Sequence, residues 1–241
     1  MDQQQFDSVI VAVYLISVMY VGYQAFNSLD DQTAIGLDKK SMQEQFEKFT
    51  LDGTPLKDLI DIKFKFEDRY KFPDQPKELQ ATIDNKSSDK SIHVDWDQST
   101  LTDYEGRSRR VIRMTADKRL NLSQPQTPSI IAPGRSLKEK LTAEDLLELK
   151  ENNTLEPKAP IVDLDQLKKA ANNKKTSKTI KDMYADFMAS KKPVKFALRL
   201  ALRFTDFNSN TQTQPHHYML DCNFTVEKRP WTDYIPIPIK K

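Results

Sequence analysis

Cysteine and glycine are scarce in this 241-residue chain, and each shortage removes a class of function. One cysteine, Cys222, excludes an intrachain disulfide and any cysteine-rich zinc or iron–sulfur centre. Five glycines leave no phosphate-cradling loop, and no Gly-x-Ser-x-Gly surrounds Ser99, Ser108 or Ser123. Thirteen prolines point to stiff, strand-ending loops in place of flexible linkers. Lysine and arginine are missing before Lys39, and no side chain from Ser8 to Leu29 is charged.

That uncharged stretch is also apolar. Val9 to Tyr23 is nearly all aliphatic or aromatic. Its 22 residues from Ser8 to Leu29, as a helix, span about 33 Å, against a hydrocarbon core of about 30 Å. After a short tail, 1–8, the segment 9–29 therefore reads as a single transmembrane anchor. Tyr23 and Phe26 fall where an aromatic belt sits. A cleaved signal peptide fits poorly, because Asp2 and Asp7 precede the run without a basic residue and no small-x-small site follows. Lys39, Lys40 and Lys48 follow the anchor and none precedes it, so the positive-inside rule favours a membrane protein whose soluble domain is cytoplasmic.

The remainder has the balance of a globular domain, with 38% apolar and 30% charged residues in the whole chain. Residues 30–55 read as a linker and a short helix. Ser41-Met42-Gln43-Glu44 has the form of a capping box, and Met42, Phe46 and Phe49 share the helical face that follows. The period then falls to two. Ile60, Ile62, Phe64 and Phe66 alternate with polar residues, as do Leu79, Ala81 and Ile83, and then Ile92, Val94 and Trp96. The expected fold is mainly β with an α insertion: an antiparallel immunoglobulin-like β-sandwich over 56–229. The insertion is expected over about 137–192. One helix opens at Thr142-Ala143-Glu144-Asp145, a second near Asp163, and a third carries Ile180, Met183, Tyr184, Phe187 and Met188. Val194 to Phe204 alternates without a break, and Tyr218, Leu220, Cys222, Phe224 and Val226 form its partner strand in a long hairpin. A proline-rich tail, 230–241, closes the chain.

Ile83-Asp84-Asn85-Lys86-Ser87, Ile92-His93-Val94-Asp95-Trp96, Gly106, Arg110-Val111-Ile112 and Ile131-Ala132-Pro133-Gly134-Arg135-Ser136 together carry a resemblance. The stretch 79–136 resembles the strand–turn–strand core of bacterial membrane-anchored immunoglobulin-like domains. The resemblance implies a sandwich and an accessory or assembly role, with no catalytic residue to carry over.

Few constellations rise above the pattern of strands. His93, Asp95 and Asp97 share a face around Trp96, a row that could bind calcium or a sugar, although alternation alone produces it. His216 and His217 are adjacent, so on a strand they point apart and cannot chelate one ion. The uneven feature is basic. Asp163 to Arg203 holds eleven lysines or arginines against four aspartates, and Lys195, Arg199 and Arg203 line one face of the long strand. Such a stripe suits an acidic protein or anionic lipid headgroups, or is a solvated face whose lysines keep an edge strand from pairing; nucleic acid fits worst, since no exposed aromatic side chain interleaves it. The expected function is a non-enzymatic membrane-anchored accessory, scaffold or assembly protein within a larger membrane complex. It needs no cofactor or metal, and its partner-binding residues are Lys195, Arg199, Arg203, Trp231 and Tyr234. The alternative is a tethered binding module for a soluble ligand such as carbohydrate, with Trp96 exposed for stacking.

Overall fold

The structure, a computed structural model, describes residues 3–30, 32–115, 122–206 and 215–229. Helix α1 (Gln3–Asp30) contains the uncharged run. It is apolar on every side, so it has no single face to bury, and Asp7–Gln24 is nowhere buried against the rest of the chain. By length and composition it is able to cross a membrane. Ser17 turns its hydroxyl back to donate to the Val13 carbonyl at 2.8 Å, which satisfies that polar group inside the helix.

One residue separates Asp30 from strand β1 (Gln32–Leu37). This segment, expected as part of a linker, is a strand of the main sheet, with Thr33, Ala34 and Ile35 buried. Helix α2 (Lys39–Lys48) follows, and its cap differs from the expected box. Asp38 accepts the Ser41 amide at 3.0 Å, so the helix starts ahead of Ser41. Strands β2 (Thr50–Leu51) and β3 (Thr54–Pro55) flank a tight turn in which Asp52 and Gly53 both take positive φ. A short helix, α3 (Leu56–Leu59), leads into the strands read from sequence.

These are β4 (Ile60–Lys65), the two-residue β5 (Tyr70–Lys71), β6 (Leu79–Asn85), β7 (Lys90–Thr102), β8 (Ser108–Met114) and β9 (Ser129–Ile131). The expected helical insertion is only partly helical. Its start is strand β10 (Ser136–Ala143), paired with β6 on one side and β8 on the other. The helix expected from Thr142 is a single 3₁₀ turn, Glu144–Leu146, followed by a small hairpin of β11 (Leu147–Leu149) and β12 (Leu155–Pro157). Leu-Lys-Glu-Lys-Leu favours helix locally, but Leu141 and Ala143 bury their side chains in the core from the sheet, and that packing wins. Helices α4 (Leu164–Asn172) and α5 (Lys178–Met188) lie where sequence placed them, and Asp163 caps α4.

Strands β13 (Val194–Asp206) and β14 (His216–Arg229) form the long hairpin. The sheet runs β4-β6-β10-β8-β7-β13-β14-β1-β5, with β9 beside β7, and every pairing is antiparallel. Hydrogen bonding is continuous, because β8 pairs with β7 through Ser108–Arg110 and with β10 through Val111–Met114. The sheet curls so that its two halves face each other across one core. Val111 looks into that core, while its neighbour Ile112 packs with Met114, Leu147 and Leu155 under the β11–β12 flap.

Antiparallel pairing gathers particular strand ends at one end of the curl. Gln32 opens β1 opposite Arg229 and Lys71, Val194 opens β13 opposite Val226, and Thr102 lies beside Ala197. This is the end at which α1 enters. Helices α4 and α5 close it: Phe187 of α5 meets Phe72 at 6.2 Å, and the Lys168 ammonium of α4 lies 5.9 Å above the same ring. The far end carries the start of β7, the end of β13 and the β2–β3 turn, tied by Lys90 to Asp52 and Asp206.

Candidate partner-binding face

Strand β13 turns its odd-numbered side chains outward at Lys195, Arg199 and Arg203, but these three cations do not form one open stripe. Arg199 is directly opposite Asp221 and grips it with two bonds, Nε to Oδ1 at 2.6 Å and Nη2 to Oδ2 at 3.0 Å. Arg203 is half-buried between His93 and His217. Lys195 is exposed at the anchor end, beside Tyr104, Thr179 and Met183. Trp231 and Tyr234, the other expected contact residues, lie outside the described residues.

The row around Trp96 is not a ligand face. Between the pairs Arg199–Thr100 and Ala201–Asp95 the register jumps, so Trp96 to Ser99 bulge out of the ladder opposite Leu200. Ser99 closes the gap. Its hydroxyl donates to the Asp95 carbonyl at 2.6 Å and accepts the Ala201 amide at 3.1 Å, standing in for the missing strand partner. Trp96 is turned fully into the core, and its indole N–H donates to Ser129 Oγ at 3.0 Å. The ring therefore offers no stacking surface, and the alternative of a sugar site built on an exposed Trp96 loses its platform. Asp95 accepts the amides of Asp97 and Gln98, shaping the bulge. Asp97 points elsewhere, accepting Arg110 Nη2 at 2.6 Å and the Gln126 amide at 2.8 Å. Partial burial pushes its carboxyl up, but the bonds from Arg110 and Gln126 outweigh that and hold it below the usual range.

The strand pairing does assemble another surface on the outer face. Ile130, His93, Arg203 and His217 form one row across β9, β7, β13 and β14. Asp95, Ala201 and Met219 form the next. Ala201 is the small floor of a cleft of about 240 Å³, with Pro128 and Gln98 also on its wall. Ile130 is 64% exposed and Met219 46% exposed, two of the three large hydrophobic residues exposed outside α1 among the described residues. Arg203 Nη2 lies 3.3 Å from His93 Nδ1, and His93 Nε2 lies 3.0 Å from Thr205 Oγ1. A guanidinium only donates, so Nδ1 accepts and the imidazole is neutral with its proton on Nε2. Burial, and then the Arg203 charge, lower the His93 pKa, in keeping with that state.

The basic residues of β13 were legible from alternation, whereas this cleft was not. It depends on β9, a three-residue strand, and on Met219 facing outward beside Ala201; the small Ala201 between two arginines was the only sequence hint. His217 joins the row, while His216 faces the other way, 3.8 Å from Asp52. Among the described residues no three His, Cys, Asp or Glu side chains converge as metal ligands. Comparison with protein-family models, with curated proteins and with solved structures gives no match.

Proposed function

We propose that this chain is a non-enzymatic, single-pass membrane protein, an accessory or assembly subunit whose β-domain docks onto a larger membrane complex. The observation that carries the reading is the junction of α1 and β1. An apolar helix with no buried residue from Asp7 to Gln24 ends one residue before a strand built into the main sheet. A spanning helix of this kind is effectively irreversible as an anchor. Joined to the sheet itself, it holds the domain at a set height above the bilayer, where a neighbour in the same membrane is within reach. The immunoglobulin-like resemblance over 79–136 supports the same assembly role, and the lysines that follow α1 favour the cytoplasmic side.

The docking surface in this reading is the outer face of β7, β13 and β14. Met219, Ile130 and Pro128 supply an apolar centre, with Arg203 and His217 as polar surroundings, the usual composition of an interface. Replacing Ile130 and Met219 with Asp tests it. Both side chains are exposed, so folding should change by no more than about 0.5 kcal/mol. The doubly substituted chain should remain in the membrane yet lose the proteins that co-purify with the unaltered chain in mild detergent. Unchanged partners at unchanged yield reject this face; an unaltered chain that purifies alone rejects the accessory role.

A further inference from the structure

We propose that the end of the domain where α1 enters is a lysine-rich seat for an anionic bilayer surface, with the α4–α5 pair as its contact element. This rests on α1 spanning the membrane. Three features of the chain lead to it.

The first is position. The apolar window of α1 ends at Gln24 and the helix itself at Asp30, six residues or about 9 Å further on. The headgroup layer on each side of the hydrocarbon is of similar depth, roughly 5–8 Å. With α1 upright, the strand ends gathered around Gln32 are therefore at the outer edge of the headgroup layer. Helices α4 and α5 belong to this end, because Phe72, which follows β5, packs on Phe187 and beneath Lys168. Gln75, three residues on, donates to Thr33 Oγ1 at 2.7 Å, within two residues of where the anchor joins.

The second is charge. Residues 164–192 hold eight lysines against three aspartates. Lys169 is paired with Asp165 and Lys192 with Asp186. Lys168, Lys174, Lys175, Lys178 and Lys181 are in no ion pair among the described residues, while Lys191 lies in the field of Asp186. Lys71, opposite Gln32, adds an exposed cation at the same end, and Arg229 another in a cleft it shares with Glu67, Asp68 and Arg69. At the far end Lys90 is held by Asp52 and Asp206.

The third separates a bilayer from an acidic protein. No large hydrophobic side chain in 164–192 is exposed, whereas the centre of a protein interface is apolar. All eight basic residues there are lysines, with no arginine to grip a fixed carboxylate with two bonds. Mobile ammonium groups suit a fluid layer of headgroups.

The test uses the full chain in nanodiscs of phosphatidylcholine alone or mixed with phosphatidylserine. Lysine acetylation is followed residue by residue. In the anionic discs Lys168, Lys174, Lys175 and Lys178 should react more slowly by about threefold or more, with Lys57 at the far end unchanged. High salt should abolish the difference, because exposed charges are screened. The Lys174→Glu, Lys175→Glu, Lys178→Glu variant should melt as the unaltered chain does and lose the protection of Lys181 and Lys191. Equal reactivity in the two lipids, with the chain still eluting with the discs, overturns the seat and leaves the anchor standing. Failure to elute with either disc overturns the anchor and the seat together. Protection that arises in neutral discs only after an acidic protein fraction is added assigns the lysines to a protein and overturns the lipid seat.

Discussion

Phe64 and Phe224 stand six strands apart along the hydrogen-bonded sheet, yet their rings meet edge to face with centroids 4.9 Å apart. That contact measures how far the sheet curls: β4, at one end of the order, lies over β14. Phe66 reaches the same ring at 5.7 Å, and Phe196, its partner across the ladder, stacks on it at 4.7 Å. Phe224 thus joins the two halves of the core.

Phe224→Ala should destabilise the domain by about 3–5 kcal/mol, since three aromatic neighbours would border the cavity it leaves. Phe64→Ala should cost less, because Phe64 is only partly buried and Phe196 remains stacked on Phe224. Equilibrium urea unfolding of the two variants checks the order, and equal losses would mean that the curl does not hinge on Phe224.

Gln45 protects a sheet edge. Beyond Leu37 strand β1 no longer covers β14, and the Gln45 side chain takes its place, donating to the Asp221 carbonyl and accepting the Asp221 amide, both at 2.8 Å. Gln45→Ala leaves both backbone groups without these partners and should cost about 1–3 kcal/mol. Hydrogen exchange at the Asp221 amide should rise well above that at Phe224, which pairs with Leu37; equal protection would mean that the edge is held by something else.

His93 titrates below its ordinary 6.5 because burial, and then the Arg203 charge, disfavour its cation. The unfolded chain then binds the proton more readily, so stability should fall as pH drops below 6.5, and the loss is complete once the pH is below the folded value. Arg203→Met should raise the His93 pKa without bringing it to 6.5, since the burial remains. Proton NMR of the imidazole ring follows both shifts, and a pKa at or above 6.5 in the unaltered protein would contradict the neutral assignment.

Sequence made the long elements legible because one physical signal dominated each. In β13 every second residue from Val194 to Phe204 is apolar, and α5 keeps a helical stripe from Ile180 to Met188. Strand β1 was hidden because Gln-Thr-Ala-Ile-Gly-Leu buries a threonine and carries a glycine, so its membership rests on β14 beside it. Strand β10 was hidden by residues that favour helix until β6 and β8 bracket them. The outer cleft was less legible still. It joins positions from β7, β9, β13 and β14, and the Trp96–Ser99 bulge that shapes its rim is a property of paired strands that no single segment encodes.

The central claim is that α1 spans a bilayer, and alkaline carbonate extraction of membranes carrying the full chain tests it most directly. The apolar window Asp7–Gln24 should keep the chain in the pellet. Val13→Lys together with Val18→Asp, two charges placed near the middle of that window, should shift it toward the supernatant. Release of the unaltered chain by carbonate alone would contradict the account.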